Sequence, residues 1–262
     1  MDKYEYQVCA DQIKNFIAEK KYAEAMEIAD KIDWRRVKSV SMLCTVSEIY
    51  KVNKRYEESR DILLLAYDRY PKGRMIVYAL CELALKMKDI VQAVEYYKEF
   101  VRVAPGDTGS YILLYKIYEA QDVSIDERIK VLEEFKKRDY RERWAYELAF
   151  LYHKTGQETK CVSECDELIL WFGEGKYVKK AMELKMQHAH LSADQQQKYN
   201  AAPNASYPLG QQAQAEPKSA APQTGNYSAP MGAYTAQAGA YGAQAGAYNM
   251  TQPQNPYAPD QN

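Results

Sequence analysis

The side chains best suited to chemistry are two cysteines and two histidines. Cys161 and Cys165 lie four residues apart, and His188 and His190 follow them. Four such ligands are enough for a tetrahedral zinc site. However, the C-x2-C spacing typical of zinc sites is absent, and both cysteines fall at positions that the helical pattern described below assigns to packing between helices. We therefore predict small buried thiols, with no bound metal and no other cofactor.

Motifs for catalysis are missing from the sequence. The stretch GEGKY at 173–177 has the wrong spacing for a phosphate-binding loop, and it follows a predicted helix rather than a strand. The chain has only three histidines, and two of them lie close together near the end of the helical region, so no Ser-His-Asp set can be assembled. The prediction is that this protein is not an enzyme.

Composition divides the chain into two parts. All but three of the 35 Lys and Arg and the 36 Asp and Glu residues lie in residues 1–200, whereas eight of the ten prolines follow them. We predict a folded region over 1–190, a short helix or linker at 191–200, and a tail at 201–262. The folded region carries equal numbers of acidic and basic residues. This balance argues against a DNA-binding protein, which needs a basic face.

Three features predict a cytoplasmic protein. The chain begins MDKYEYQVCADQIK, with early acidic residues and no apolar run, so no secretory signal is expected. The longest apolar runs, such as ILLLAY at 62–67, are too short to cross a bilayer, and no membrane association is predicted. The five cysteines are an odd number and are expected to remain reduced thiols.

A period of 34 residues runs through the folded region. It is visible in KYAEAM at 21–26 and KRYEES at 54–59, where Tyr22 and Tyr56 are 34 residues apart. When the sequence is written in rows of 34 from residue 6, columns 4, 7, 8 and 11 share one face of a first helix. Columns 20, 24 and 27 share one face of a second helix. Each row is therefore predicted to form a helical hairpin.

Two columns have a clear physical meaning. A small residue is expected in column 20, because the two helices of a hairpin cross closely there. Four of the five rows hold such a residue, namely Ala25, Ser59, Ala93 and Cys161. Pro71 and Pro105 share column 32, where proline is predicted to end the second helix because it lacks an N–H and restricts the residue before it.

The fourth row departs from this pattern. Glu127 stands in column 20, and Glu134 stands in column 27, where an apolar residue is expected. A shift by one residue places Ile125, Leu132 and Phe135 on the buried face instead. We infer a turn that is one residue longer within QDVSID at 121–126.

The period and these columns resemble the tetratricopeptide repeat (TPR) family over about residues 6–172. The resemblance implies an all-α, right-handed solenoid of five helix hairpins, and the predicted repeats are 6–39, 40–73, 74–107, 108–141 and 142–172. Residues 175–189 place Tyr177, Ala181 and Leu184 on one helical face, with charged side chains opposite. This segment is predicted to be a C-terminal capping helix, because the end of a repeat stack needs a cap.

The resemblance also implies a function and a site. In TPR proteins, columns 2, 5, 9, 12 and 13 of the first helices face a concave groove, which implies a protein-binding adaptor or scaffold that holds a protein or peptide segment. Tyr78, Tyr146 and Phe150 are candidate apolar anchors, and Lys116, Arg143 and Lys154 are placed to meet an acidic group. The candidate groove residues are Lys14, Glu48, Lys51, Tyr78, Glu82, Lys86, Lys116, Glu119, Arg143, Tyr146, Phe150, His153 and Lys154.

The composition of the tail favours a different function. The stretch GAYTAQAGAYGAQAGAYNM places Tyr234, Tyr241 and Tyr248 seven residues apart, but its glycines are too costly for a coiled coil. Few groups can bury apolar area, so we predict a disordered, low-complexity tail. Self-association driven by this Tyr- and Gln-rich tail is the alternative function. RNA binding by the helical repeats is a third interpretation, which the balanced charge disfavours.

Overall fold

The computed structural model describes residues 2–201. The predicted tail, including Tyr234, Tyr241 and Tyr248, lies outside the described residues. Within residues 2–201 the chain forms α-helices joined by turns, one short 3-10 helix and no strand, which confirms the predicted all-α fold. The α-helices are α1 (Lys3–Ala18), α2 (Tyr22–Ala29), α3 (Val40–Val52), α4 (Tyr56–Arg69), α5 (Arg74–Lys86), α6 (Ile90–Val103), α7 (Gly109–Ala120), α8 (Ile125–Lys136), α9 (Glu142–Lys154), α10 (Glu158–Phe172), α11 (Lys176–Lys185) and α12 (Ala193–Ala201).

The helices pair along the chain into five stacked hairpins. α1 packs against α2, and the same pairing repeats up to α9 against α10, while the second helix of each hairpin contacts the first helix of the next. α11 then packs against both α9 and α10, and α12 packs against α11. α4 and α6 end two residues before Pro71 and Pro105, where proline was predicted to stop them. None of the described helices is both long enough and apolar enough to cross a bilayer.

The small residues of column 20 lie where the two helices of a hairpin cross. Ser59 and Ala93 are fully buried in the second helices of their hairpins. The hydroxyl oxygens of Ser47 and Ser59 are 3.0 Å apart across one crossing, and the Cys81 thiol donates to the Ala93 carbonyl oxygen at 3.2 Å across the next. These contacts leave no space for a long side chain, as the sequence predicted.

The fourth hairpin has the longer turn that its sequence predicted. Four residues, 121–124, separate α7 from α8, whereas three residues separate the helices of each other hairpin. The shift buries Leu132 and Phe135, which are 1% and 2% exposed. Tyr115 stands in the column that holds Ser47 and Cys81 in earlier hairpins, and its hydroxyl donates to Glu147 on α9 at 2.6 Å. A hydrogen bond from the buried Tyr115 therefore links the irregular fourth hairpin to the fifth.

The first hairpin is shorter than the period indicates. Column 27 placed Ile32 on a second helix, but α2 ends at Ala29 and Ile32 lies beyond it. A 3-10 helix, Trp34–Arg36, follows, and the indole Nε1 of Trp34 donates to the Ala29 carbonyl oxygen at 3.0 Å. The same carbonyl oxygen also accepts the backbone N–H of Ile32 at 3.2 Å, so the end of α2 is held by two hydrogen bonds where the helix stops early.

Every hairpin turn contains one residue with a left-handed backbone. The φ angles of these residues range from 55° to 69°, and the residues are Lys20, Lys54, Lys88, Asp122 and Gly156. In each turn the next N–H reaches back to a carbonyl near the end of the first helix, as Asp89 does to Ala84 and Gln157 to Tyr152, both at 2.9 Å. This is a helix-ending arrangement that favours glycine at the left-handed position. Only the fifth hairpin has a glycine there.

Replacing Lys88 with glycine is therefore expected to stabilise the protein. A side chain in this conformation costs about 1 kcal/mol relative to glycine, so Lys88→Gly should raise the free energy of unfolding by about 1 kcal/mol. Ala79→Gly, in the middle of α5, should lower it by about the same amount, because glycine weakens a helix interior. Urea unfolding of both variants measures whether each change raises or lowers the free energy of unfolding. Destabilisation by both changes would contradict the turn geometry.

Candidate protein-binding site

The predicted groove residues near the start of the chain are paired with neighbours on their own helices. The Lys14 ammonium lies 3.1 Å from the Asp11 carboxylate on α1. Glu48 and Lys51 form an ion pair on α3. These charges already have partners of opposite sign, so they offer little attraction to a charged ligand.

The middle of the site is built around contacts between first helices. Glu82 on α5 and Lys116 on α7 form an ion pair that joins consecutive hairpins. The Lys116 ammonium also lies 5.9 Å from the ring centroid of Trp144 on α9. Lys86 and Glu119 are exposed at the ends of α5 and α7. This region therefore links the repeats to one another.

Tyr78 is part of the packing between hairpins. Its ring meets Phe100 edge to face, with centroids 5.6 Å apart, and it contacts the buried side chains of two neighbouring core clusters. Burial raises the pKa of its hydroxyl, and the nearby Glu82 carboxylate adds to this shift. We expect Tyr78→Ala to destabilise the fold. Tyr78 is thus a poor choice for an anchor that could be removed without structural cost.

The predicted residues of the last hairpin come together on one face of α9. Tyr146, Phe150 and His153 are spaced by four and three residues, so they follow one another along the helix. The rings of Tyr146 and Phe150 are stacked at 6.3 Å, and those of Phe150 and His153 at 6.1 Å. All three side chains are half-buried, so part of each ring faces solvent.

Helix α11 extends this row. Tyr177 lies 5.7 Å from Tyr146, measured between ring centroids, and the Nδ1 of His153 is 2.7 Å from the Nε2 of His188. We call the side chains of Tyr146, Phe150, His153 and Tyr177 the aromatic row. The sequence predicted α11 only as a cap, and Tyr177, Lys180 and His188 were not among the predicted groove residues. The signal was present, because these residues follow Arg143, Tyr146 and Lys154 by one period of 34.

Cationic side chains flank the aromatic row. The Lys180 ammonium lies 5.4 Å from the Tyr146 ring centroid and 5.7 Å from that of Tyr177, and the Lys154 ammonium lies 4.6 Å from Phe150. Such cation–ring contacts are attractive but leave the ammonium hydrogens able to bind an acceptor. Arg143 stacks near Trp144 at 5.0 Å. Among the described residues, none of these three cations forms an ion pair with a carboxylate.

Some of the acidic side chains near the row are already engaged. Glu147 accepts the hydrogen bond from Tyr115, and Glu142 accepts one from the backbone N–H of Tyr177 at 3.0 Å. Burial raises the pKa of the Tyr146 hydroxyl, and the charges of Glu147 and Glu183 raise it further. Glu183 on α11 is exposed, and so is Glu158 on α10, whose carboxylate lies 3.8 Å from the Nδ1 of His188. The row is therefore flanked by more available cations than acids.

Four of the five cysteines are buried packing residues, and Cys9 on α1 is half-buried. Cys161 and Cys165 are fully buried in α10, and Cys44 and Cys81 are buried in α3 and α5. Burial raises the pKa of Cys44 to about 11 and that of Cys81 to about 12, so both thiols stay protonated at neutral pH. No three His, Cys, Asp or Glu side chains within residues 2–201 are grouped as metal ligands would be.

The arrangement of these hairpins is the tetratricopeptide repeat fold. A tetratricopeptide repeat protein from Parabacteroides merdae is similar, with a TM-score of 0.53 at 11% identity, over 74% of this chain and 83% of that one. PilF of Pseudomonas aeruginosa has a TM-score of 0.53 at 11% identity, over 75% and 88%. A TPR protein of Thermus thermophilus has a TM-score of 0.52 at 12% identity, over 70% and 96%.

The similarity is one of fold, at identities too low to transfer a partner. No protein-family model matches the chain, and no curated protein sequence matches it either. The chemistry of a partner therefore follows from the residues of this chain alone.

Proposed function

We propose that this protein is a non-enzymatic scaffold that binds a segment of a partner protein on the face formed by its first helices. We call this surface, made by the solvent-facing sides of α3, α5, α7, α9 and α11, the groove face. The anchor of the site is the aromatic row at its C-terminal end. In this proposal the predicted adaptor role depends mainly on α9 and α11, which carry the aromatic row.

The observation that carries the proposal is the half-exposed state of the aromatic row. The ring of Tyr146 contacts those of Phe150 and Tyr177, with centroids 6.3 and 5.7 Å away, so the row is held in place before any ligand arrives. Large rings bury much apolar area at small conformational cost, which is why aromatic residues dominate the energetics of protein interfaces. Elsewhere on the groove face, most of the charged candidates pair within the protein, and Lys86 and Glu119 are the exceptions.

The fold supports the same function. Stacked hairpins form an extended surface to which each repeat contributes a few side chains, and such surfaces suit long, irregular protein segments. A helical or extended partner segment would lie across several first helices and be fixed where an apolar side chain meets the aromatic row.

Capture of a partner should depend on the aromatic row. Full-length wild type and Tyr146→Ser/Phe150→Ser are used as bait with crosslinking in the native cell, and the captured protein is then purified for affinity measurement. We expect the variant to bind the purified partner at least about tenfold more weakly, because loss of two anchor rings typically exceeds 1.4 kcal/mol.

A matched control comes from α10, where Leu170 and Trp171 are 80% and 69% exposed. Leu170→Ser/Trp171→Ser removes similar apolar area outside the groove face and should leave the affinity unchanged. Urea unfolding of each variant, together with the milder Phe150→Leu, separates loss of binding from loss of fold. Retention of the partner by Tyr146→Ser/Phe150→Ser, with loss in the α10 variant, would overturn the assignment.

A further inference from the structure

The available cations at the aromatic row indicate what kind of segment it binds. Lys154 lies over Phe150 and Lys180 lies over both Tyr146 and Tyr177, so each ammonium sits beside a half-exposed ring. Because Phe150 and Tyr146 are themselves stacked, the two ammoniums flank one continuous apolar surface. An extended peptide of about five residues would reach from one to the other.

The cations at this end differ from most of the candidate groove cations nearer the start of the chain, among which only Lys86 is exposed without an ion pair. Lys14, Lys51 and Lys116 each form an ion pair with a carboxylate of the protein. Arg143, Lys154 and Lys180 form no ion pair with any residue in 2–201. Exposed cations that the protein leaves without a carboxylate are complementary to a negatively charged ligand, since complementary charge steers encounter and selects partners.

We infer that the segment bound at the aromatic row is acidic and carries at least one apolar side chain. Its carboxylates would meet Lys154 and Lys180, with Arg143 at the edge, and its apolar side chain would pack on Tyr146 and Phe150. This inference rests on the proposed function and adds the chemistry of the partner. Glu158 and Glu183 are the exposed acids nearby, and they are outnumbered by Arg143, Lys154 and Lys180.

An acidic protein segment fits these observations better than a nucleic acid. A single-stranded RNA also combines negative charge with groups that stack on rings. However, nucleic-acid grooves follow the backbone with a continuous line of cations, whereas the cations in the middle of this face are paired with Glu48 and Glu82. Among the candidate groove residues, the cations without an ion pair are therefore concentrated on α9, with Lys180 on α11 beside them, and Lys86 at the end of α5 is the one that lies elsewhere.

Selection from a library of short random peptides tests the inference on the full-length chain. Peptides enriched by the wild type are expected to be acidic and to contain aromatic or aliphatic residues. The most enriched peptide, labelled with fluorescein, should bind Lys154→Glu/Lys180→Glu about tenfold or more weakly than wild type by fluorescence anisotropy. Added salt should weaken wild-type binding, because the attraction is between exposed charges.

Lys38→Glu/Lys72→Glu is the control, because it changes the net charge equally at two exposed loop lysines away from the row. It should bind the peptide as wild type does. Enrichment of neutral or basic peptides, absence of any enrichment, unchanged binding by Lys154→Glu/Lys180→Glu, or displacement of the peptide by oligouridine at equal concentration would each overturn the inference.

The outcomes also separate this inference from the proposed function. If the cellular partner is lost by Tyr146→Ser/Phe150→Ser but bound normally by Lys154→Glu/Lys180→Glu, the groove function stands and the acidic chemistry is wrong. If neither variant affects capture, the site itself is wrong.

Discussion

Replacing Lys136 with methionine is expected to lower the free energy of unfolding by about 3 kcal/mol. Lys136 on α8 reaches across to α10, where its ammonium lies 2.5 Å from Glu164 and 2.6 Å from Glu167. The Glu164 side chain is buried, so the variant leaves a carboxylate in the core without its cation. Removing one partner of a buried pair typically costs 3–5 kcal/mol, and the partial exposure of Lys136 places this case at the lower end.

The neighbouring residue provides a matched control. Lys137 carries the same charge but pairs with Glu134 on the exposed side of α8. Lys137→Met should leave the midpoint of urea unfolding unchanged. The double variant Lys136→Met/Glu164→Met should recover most of the lost stability, because an apolar pair of similar size avoids the buried charge. A small effect of Lys136→Met would mean that Glu164 is solvated in solution.

The loss caused by Lys136→Met should also depend on pH. Burial raises the pKa of Glu164 above its ordinary value of 4.5, and Lys136 works against that shift. Without Lys136 the pKa of Glu164 in the folded variant rises further, so the folded variant binds this proton more tightly than the unfolded chain does. The loss of unfolding free energy relative to wild type is therefore complete above that raised pKa. It disappears as the pH falls towards 4.5, because Glu164 is then protonated in both proteins. Urea unfolding of variant and wild type at pH 5 and pH 8, compared pairwise, measures it.

Replacing Phe100 with alanine is expected to cost about 3–5 kcal/mol. Phe100 on α6 is fully buried, meets Tyr78 edge to face and lies close to Gly109 at the start of α7. The cavity left by its ring would lie between the third and fourth hairpins, and large-to-small changes of buried aromatic residues cost this much. Because each repeat is stabilised by its neighbours, this loss should weaken the packing between the third and fourth hairpins most.

Val101 is the control for Phe100, since it is the next residue and is 40% exposed. Val101→Ala should change the unfolding free energy by less than about 0.5 kcal/mol. Hydrogen exchange of Phe100→Ala should show its largest loss of protection in α6 and α7. Uniform loss over all helices would contradict a stack whose hairpins are stabilised by nearest neighbours.

The regular features of the fold could be predicted because they are periodic. Small residues such as Ser59 and Ala93 recur every 34 residues for a steric reason, and proline recurs where a helix must end. Even the irregular fourth hairpin was predictable, since only a longer turn brings Leu132 and Phe135 to the core. These signals depend on local geometry, which a single sequence records.

Other features depended on contacts that are distant in sequence. Lys20, Lys54 and Lys88 adopt the left-handed conformation although lysine has no preference for it, because the turn is imposed by the packing of both helices. The burial of Tyr78 against Phe100 could not be predicted from its position in the 34-residue period. That position predicts only that the side chain points towards the groove, not what it packs against. The role of Tyr177 and Lys180 became apparent when α11 was found beside α9.

Photo-crosslinking from single positions tests the central claim most directly. Benzoylphenylalanine replaces Phe150, Trp171 or Tyr241 in separate full-length chains, and each chain is irradiated in the native cell. We predict that a partner protein is crosslinked from position 150, on the groove face, and not from position 171, on α10. Crosslinks to another protein from position 241, with none from position 150, would contradict this account and assign binding to the tail.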